Sequence, residues 1–111
     1  MKRYCLALDL INDVGKIKKY QQFHKKIWPE IAANIQQRGV LDMQIWQVEN
    51  RLFMIMDTQD DYDPAAAHEI ALAEPKNVEW ETLMSQFQQP LSSAAVGEKW
   101  IEMIKIFDLN Q

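Results

Sequence analysis

A single cysteine, Cys5, stands among the 111 residues, so no disulfide can form within the chain. Only two histidines are present, with no Cys-x-x-Cys or His-x-x-x-His pair. A metal centre would therefore need carboxylates at unrecognisable spacing, and none is expected. The three glycines form no phosphate-cradling loop, and no Gly-x-Ser-x-Gly elbow exists, so no cofactor is expected either. Long apolar runs are missing as well. The opening Met1-Lys2-Arg3-Tyr4 is charged, and the apolar stretch after it is broken by Asp9, too short for a signal peptide or a membrane span. A cytoplasmic protein without membrane contact is the expectation. Basic residues number 12 against 16 acidic ones, a net charge of −4, which argues against nucleic acid or an anionic surface as partner. The lysines at 16, 18, 19, 25 and 26 lie around a helix and read as a solvated face.

What is present is ordinary for a globular chain: 48% hydrophobic and 25% charged residues. The length fits one domain, 1–111, able to bury about two-thirds of its unfolded surface without staples. Arg3 to Leu10 reads as a strand with Tyr4, Leu6, Leu8 and Leu10 on one face. Asn12, Asp13 and Gly15 mark a turn and a helix start. Helical spacing then runs from Val14 to Arg38 through Ile17, Tyr20, His24, Ile31 and Ile35. Pro29 should kink or restart it near Trp28, and Gly39 should stop it.

Leu41–Val48 and Arg51–Thr58 form a hairpin around Glu49-Asn50, and Gln59 to Asp63 is a loop. Pro64–Leu72 is a short helix, Pro75 breaks the chain, Val78–Gln88 is a further helix, and Lys99–Asp108 is a last strand. The order β-α-β-β-α-α-β is that of an α+β, ferredoxin-like fold: an antiparallel sheet with helices on one face. The other face, expected to carry Trp46, Met54 and Met56, would be exposed in a monomer. A homodimer packed sheet to sheet, a dimeric α/β barrel, is therefore expected.

His24 lies four residues after Tyr20, so both project from one helix face. A histidine is the side chain that titrates near neutrality and suits proton transfer, although spacing alone fits a satisfied core histidine better. His68, after three alanines near a loop, reads as surface. Trp28-Pro29-Glu30 reads equally as packing at a kink and as the edge of a cavity. Four tryptophans are many for this length. Core packing accounts for most, yet indole faces also stack on sugars, so a pocket with Tyr20, His24 and a tryptophan points toward a monosaccharide.

The run Tyr20-Gln21-Gln22-Phe23-His24-Lys25-Lys26-Ile27-Trp28-Pro29-Glu30 resembles the Tyr-x-x-x-His-x-x-Ile-Trp-Pro-Glu signature of the L-rhamnose mutarotase family. The likeness continues through Gly39, the hairpin Asn50-Arg51-Leu52-Phe53 and the C-terminal strand, essentially the whole chain. The resemblance implies a small cytoplasmic dimer that interconverts the anomers of a 6-deoxyhexose by acid–base ring opening. Such a reaction needs no metal, cofactor or covalent intermediate. His24 falls on the family's acid–base histidine and is expected to serve the ring oxygen. Its proton-transfer partner is left open among Tyr20, Glu79 and water.

Tyr20 falls on a substrate-contacting tyrosine, and Trp80 on the second member of a tryptophan pair lining the sugar. Glu79 stands at the first member of that pair, and Met43 where a substrate-binding tyrosine is usual. Both departures touch the sugar-facing set, so the sugar is L-rhamnose or L-fucose. Glu79 is expected to bind a hydroxyl, with Asp42 and Trp46 in the same pocket. Two other classes share the fold: a non-catalytic dimer binding a small ligand, and a cofactor-free monooxygenase. The tyrosine–histidine–Trp-Pro-Glu run speaks against the latter.

Overall fold

The computed structural model describes residues 1–110. Three long strands make the sheet: β1 (Lys2–Leu10), β2 (Val40–Val48) and β3 (Arg51–Thr58). Four helices follow the chain as α1 (Val14–Lys25), α2 (Pro29–Gln37), α3 (Pro64–Ala73) and α4 (Pro75–Ser85). Two short pieces, β4 (Gln88–Gln89) and β5 (Ile101–Glu102), both pair with β1. The strand order β2-β3-β1-β4 with antiparallel neighbours is the ferredoxin-like arrangement.

Local chemistry explains the boundaries. The Asp13 carboxylate accepts from the Lys16 N–H at 2.9 Å and caps α1. Pro29 occupies the first turn of α2, so the expected long helix is two helices separated at Lys26–Trp28. Gly39, at φ +94°, closes α2 in the left-handed region. Asp63 and Glu74 cap α3 and α4, each followed by a proline. Pro75 thus starts α4 rather than breaking the chain, and α4 begins three residues before the expected Val78. It also ends at Ser85, leaving Gln88 to pair with Leu10 as a strand.

The register fixes which residues share a face. Leu6 lies opposite Met54 and Leu8 opposite Leu52, while Met54 and Met56 lie opposite Ile45 and Met43. This is the helix-covered face: Leu10 and Leu52 join Tyr20, Ile31, Trp80, Met84 and Phe87 in one core cluster. Met54 and Met56 are therefore not on the open face, as the alternation alone suggested. Pairing with β1 turns both toward the helices, and only Trp46 of the expected trio is outside.

The open face instead carries Cys5 and Ala7 of β1 beside Phe53 and Ile55 of β3. Two cross-strand ion pairs bracket them. Arg3 donates to both oxygens of Asp57 at 2.8 and 3.0 Å, and Arg51 to both of Asp9 at 2.8 and 3.2 Å. The expected last strand shrinks to β5, which shares the edge of β1 with β4. β4 takes Asp9 and Leu10, β5 takes Leu6 and Ala7, and the Met103 N–H donates to the Cys5 carbonyl. Beyond that the chain pairs with no strand among the described residues, and Ile104, Ile106 and Phe107 lie exposed.

Candidate active site

Between the helices and the sheet lies a cavity of about 630 Å³, within the range of small-molecule pockets. Its walls come from every layer: Tyr20 and His24 from α1, Ile31 and Ile35 from α2, Met43 and Ile45 from β2, Met54 and Met56 from β3. Trp80, Glu81 and Met84 of α4, Arg38, Gln88 and Trp100 complete it. Most of this lining is apolar, so its few polar atoms stand out.

His24 is half-buried, and its Nδ1 lies 2.8 Å from the Tyr20 carbonyl oxygen one turn back. A carbonyl only accepts, so Nδ1 carries the hydrogen and donates it. The neutral ring then has its lone pair on Nε2, which makes no hydrogen bond among the described residues. Burial lowers the His24 pKa below 6.5, partly offset by the Tyr20 carbonyl and by the Glu81 carboxylate. The ring is therefore neutral at neutral pH.

Aromatic packing fixes its plane: the Tyr20 ring sits 4.3 Å away, and the Trp80 ring 5.5 Å away, edge-on. Trp80 is itself held edge to face by Phe23 at 6.2 Å and Trp28 at 5.1 Å. The Trp28-Pro29 restart thus acts through packing, setting the indole that backs His24. Burial raises the Tyr20 pKa, so its phenol keeps its proton.

A second polar cluster lies by the end of α2. Arg38 donates from Nε and Nη2 to Asn34 Oδ1 at 2.9 and 2.7 Å, and from Nη2 to Asn77 Oδ1 at 3.0 Å. The two amides are turned toward it because their own nitrogens donate to the Ile70 and Ala71 carbonyls. Burial lowers the Arg38 pKa, and the Glu81 carboxylate acts against that.

The expected site residues separate. Tyr20, His24, Met43 and Trp80 line the cavity together, and Asp42 borders it. Glu79 does not. It projects from α4 to solvent and pairs with Lys76 at 3.4 Å, while Glu81, two residues on, takes a place in the cavity wall. Trp46 is on the opposite sheet face, and His68 is exposed, as its surroundings suggested. Gln88, Glu81 and Arg38 were missed. The Asn34–Arg38 spacing of four was the one signal in the sequence for any of them. Among the described residues, no group of three His, Cys, Asp or Glu side chains could hold a metal ion, and no helix is long and apolar enough to cross a membrane.

The model of the L-rhamnose mutarotase family matches residues 3–109. An L-fucose mutarotase of Xanthomonas campestris is 40% identical over 113 aligned positions, spanning 100% of this chain and 90% of that protein. An L-rhamnose mutarotase of Burkholderia ambifaria is 25% identical over 59 positions, 51% of this chain and 57% of the other. The crystal structure of an L-rhamnose mutarotase from Formosa agariphila superposes with a TM-score of 0.72 at 18% identity, covering 98% of this chain and 99% of that one. At that identity the superposition speaks for the fold.

Proposed function

The chain belongs to the L-rhamnose mutarotase family and so to a sugar mutarotase, an isomerase-type activity; on that footing we propose that it interconverts the anomers of L-fucose in preference to L-rhamnose, with His24 moving the proton. The observation that carries the assignment is the 2.8 Å contact between His24 Nδ1 and the Tyr20 carbonyl, from which the tautomer follows. A neutral imidazole with its Nε2 lone pair uncommitted, in an apolar-walled cavity, is poised as a base.

Nε2 takes the proton from the anomeric hydroxyl O1, the C1–O1 bond becomes a carbonyl, and the C1–O5 bond breaks. O1 and O5 are bonded to the same carbon, so the imidazolium can return that proton to O5 with a small tilt. The open aldehyde turns about C1–C2 and recloses on its other face through the reverse steps. Proton and charge balance without a second acid. The transient imidazolium is supported by the Tyr20 carbonyl on Nδ1 and by the nearby Glu81 carboxylate. Tyr20, Met43 and Trp80 contact the sugar, the indole offering an apolar face to ring C–H groups. L-Fucose is ranked first because the Xanthomonas L-fucose mutarotase is similar along the whole chain, whereas the Burkholderia L-rhamnose mutarotase is similar over about half of it.

Saturation-difference NMR of the two anomeric protons tests the reading. Wild-type protein should accelerate exchange, more for L-fucose than for L-rhamnose, and His24→Ala should abolish the acceleration. No acceleration by wild type would end the proposed function, and undiminished exchange in the variant would end the role of His24.

The open sheet face supports a homodimer: an apolar centre of Cys5, Ala7, Phe53 and Ile55 rimmed by ion pairs, with Trp46 61% exposed on the neighbouring strand. Light scattering on wild type and Phe53→Lys checks it, since the lysine should leave a monomer. A cytoplasmic location is proposed from the family likeness.

A further inference from the structure

Gln88 is the polar residue that the mechanism leaves unused. It is only 9% exposed, anchored through the short strand opposite Leu10, and it lines the cavity. Its Nε2 donates to the Tyr20 hydroxyl at 3.5 Å, while its Oε1 is buried with no hydrogen-bond partner. Turning the amide over would exchange which atom meets Tyr20, yet one polar atom would still be left alone. A buried acceptor without a donor is costly to the fold, and native chains keep few of them. Here the orphan belongs to a side chain of the cavity wall, where a donor on a ligand that draws the amide toward the cavity would satisfy it. The Tyr20 hydroxyl accepts from Gln88, leaving its own hydrogen free to donate into the same space.

We propose that Gln88, together with the Tyr20 hydroxyl, recognises the hydroxyl on C2 of the sugar and thereby selects between 6-deoxyhexoses; this rests on the mutarotase reading. The position follows from connectivity. The Tyr20 ring lies 4.3 Å from the His24 ring and its hydroxyl meets the Gln88 amide, so a sugar whose C1–O1–O5 group reacts at His24 would place its neighbouring carbons near this pair. On the O5 side the next carbon is C5, which in a 6-deoxy sugar carries a methyl group and no hydroxyl. On the other side the next carbon is C2, whose hydroxyl both donates and accepts. That hydroxyl can give its hydrogen to Oε1 and receive one from Tyr20. L-Fucose and L-rhamnose carry it in opposite orientations, equatorial in one and axial in the other. A donor–acceptor pair fixed by a strand and a buried ring fits one of them.

The test compares wild type with Gln88→Met, matched in size, on L-fucose and on its 2-deoxy analogue. Anomer exchange is read by NMR, and Tm is measured without sugar. The variant should lose about tenfold in kcat/KM on L-fucose, through KM. It should match wild type on the 2-deoxy sugar, and its Tm should be unchanged or raised because the orphan acceptor is gone. Equal losses on both sugars would overturn the proposal and leave Gln88 as a support behind Tyr20; no loss on either would overturn it too. If Gln88→Met does not fold, Gln88→Asn, which withdraws the amide, faces the same two sugars and the same criteria. Failure of the mutarotase reading is told apart by the wild-type arm, where neither sugar would exchange faster than in buffer.

Discussion

Leu52 and Phe53 are adjacent in the chain and lie in opposite worlds. Leu52 points into the helix-covered core at 2% exposure, and Phe53 points to the open face between two ion pairs. Both faces are apolar at their centres, so apolarity does not say what either is for. Their polar atoms do. On the helix side the polar atoms sit inside the apolar wall: the His24 Nε2 and the Gln88 Oε1 have no partner among the described residues. On the open side the charges are at the rim and already neutralise one another. Unpartnered polar atoms in an apolar wall suit a small polar ligand, and a dry centre with a paired rim suits another protein surface.

The sharpest way to break this comparison is to disable one face at a time. His24→Ala should lower anomer exchange by about 10²–10⁴-fold while leaving the oligomeric state intact. Phe53→Lys should do the reverse by light scattering, and lost exchange in that monomer would show that the cavity depends on the partner.

Next comes stability. Leu52→Ala removes a fully packed side chain and should cost about 2–5 kcal/mol in urea unfolding. Phe53→Ala, next to it, should cost less in the monomer and act mainly on association. Similar losses from both would mean that the open face is as well packed within the chain as the core.

A smaller effect separates the two kinds of cation. Arg38→Met leaves the Asn34 and Asn77 oxygens without their donors and should cost about 1–3 kcal/mol, insensitive to salt. Arg3→Met leaves the Asp57 carboxylate, only 8% exposed, without its two donors, so it should also lower stability. That loss should carry a salt dependence that Arg38→Met lacks, since Arg3 itself is exposed.

Much of this was legible because periodicity and capping act locally. The strand of Leu6, Leu8 and Leu10, the hairpin, the Asp13 and Pro64 helix starts and the Gly39 stop all follow from short-range rules. The misreadings have one cause, which is that a period names a face without naming its neighbour. Residues 52 to 56 are apolar on both sides, and only pairing with β1 turns Met54 and Met56 inward. Residues 99–108 alternate like a strand, yet only Ile101 and Glu102 pair with β1, because alternation marks a segment able to pair without supplying the partner. Glu79 and Glu81 flank Trp80 symmetrically in sequence. Which of them meets the cavity depends on how α4 seats its tryptophan against Phe23 and Trp28. Resemblance supplied the histidine's task, and geometry alone supplied Gln88.

The mildest prediction is a pH dependence that splits the faces. Burial holds the folded pKa of His24 below its ordinary 6.5, so between those two values the unfolded chain binds more protons than the folded one. Stability therefore rises with pH across that window. The contribution is complete above 6.5 and is lost as pH falls through 6.5 toward the folded value. The acid limb of anomer exchange should lie in the same region, because protonation removes the Nε2 lone pair. On the open face, the hydrogen bonds from Arg3 hold the Asp57 carboxyl below 3.8, so its contribution is present above 3.8 and is lost below it. Thermal unfolding followed against pH should show two separate declines. About 1 M salt should weaken the lower one, where the Arg3 partner is solvent-exposed, and spare the upper. His24→Gln should remove the upper decline alone. A single decline that salt erases entirely would mean that the histidine is not desolvated, and the distinction between a ligand face and a contact face would lose its electrostatic half.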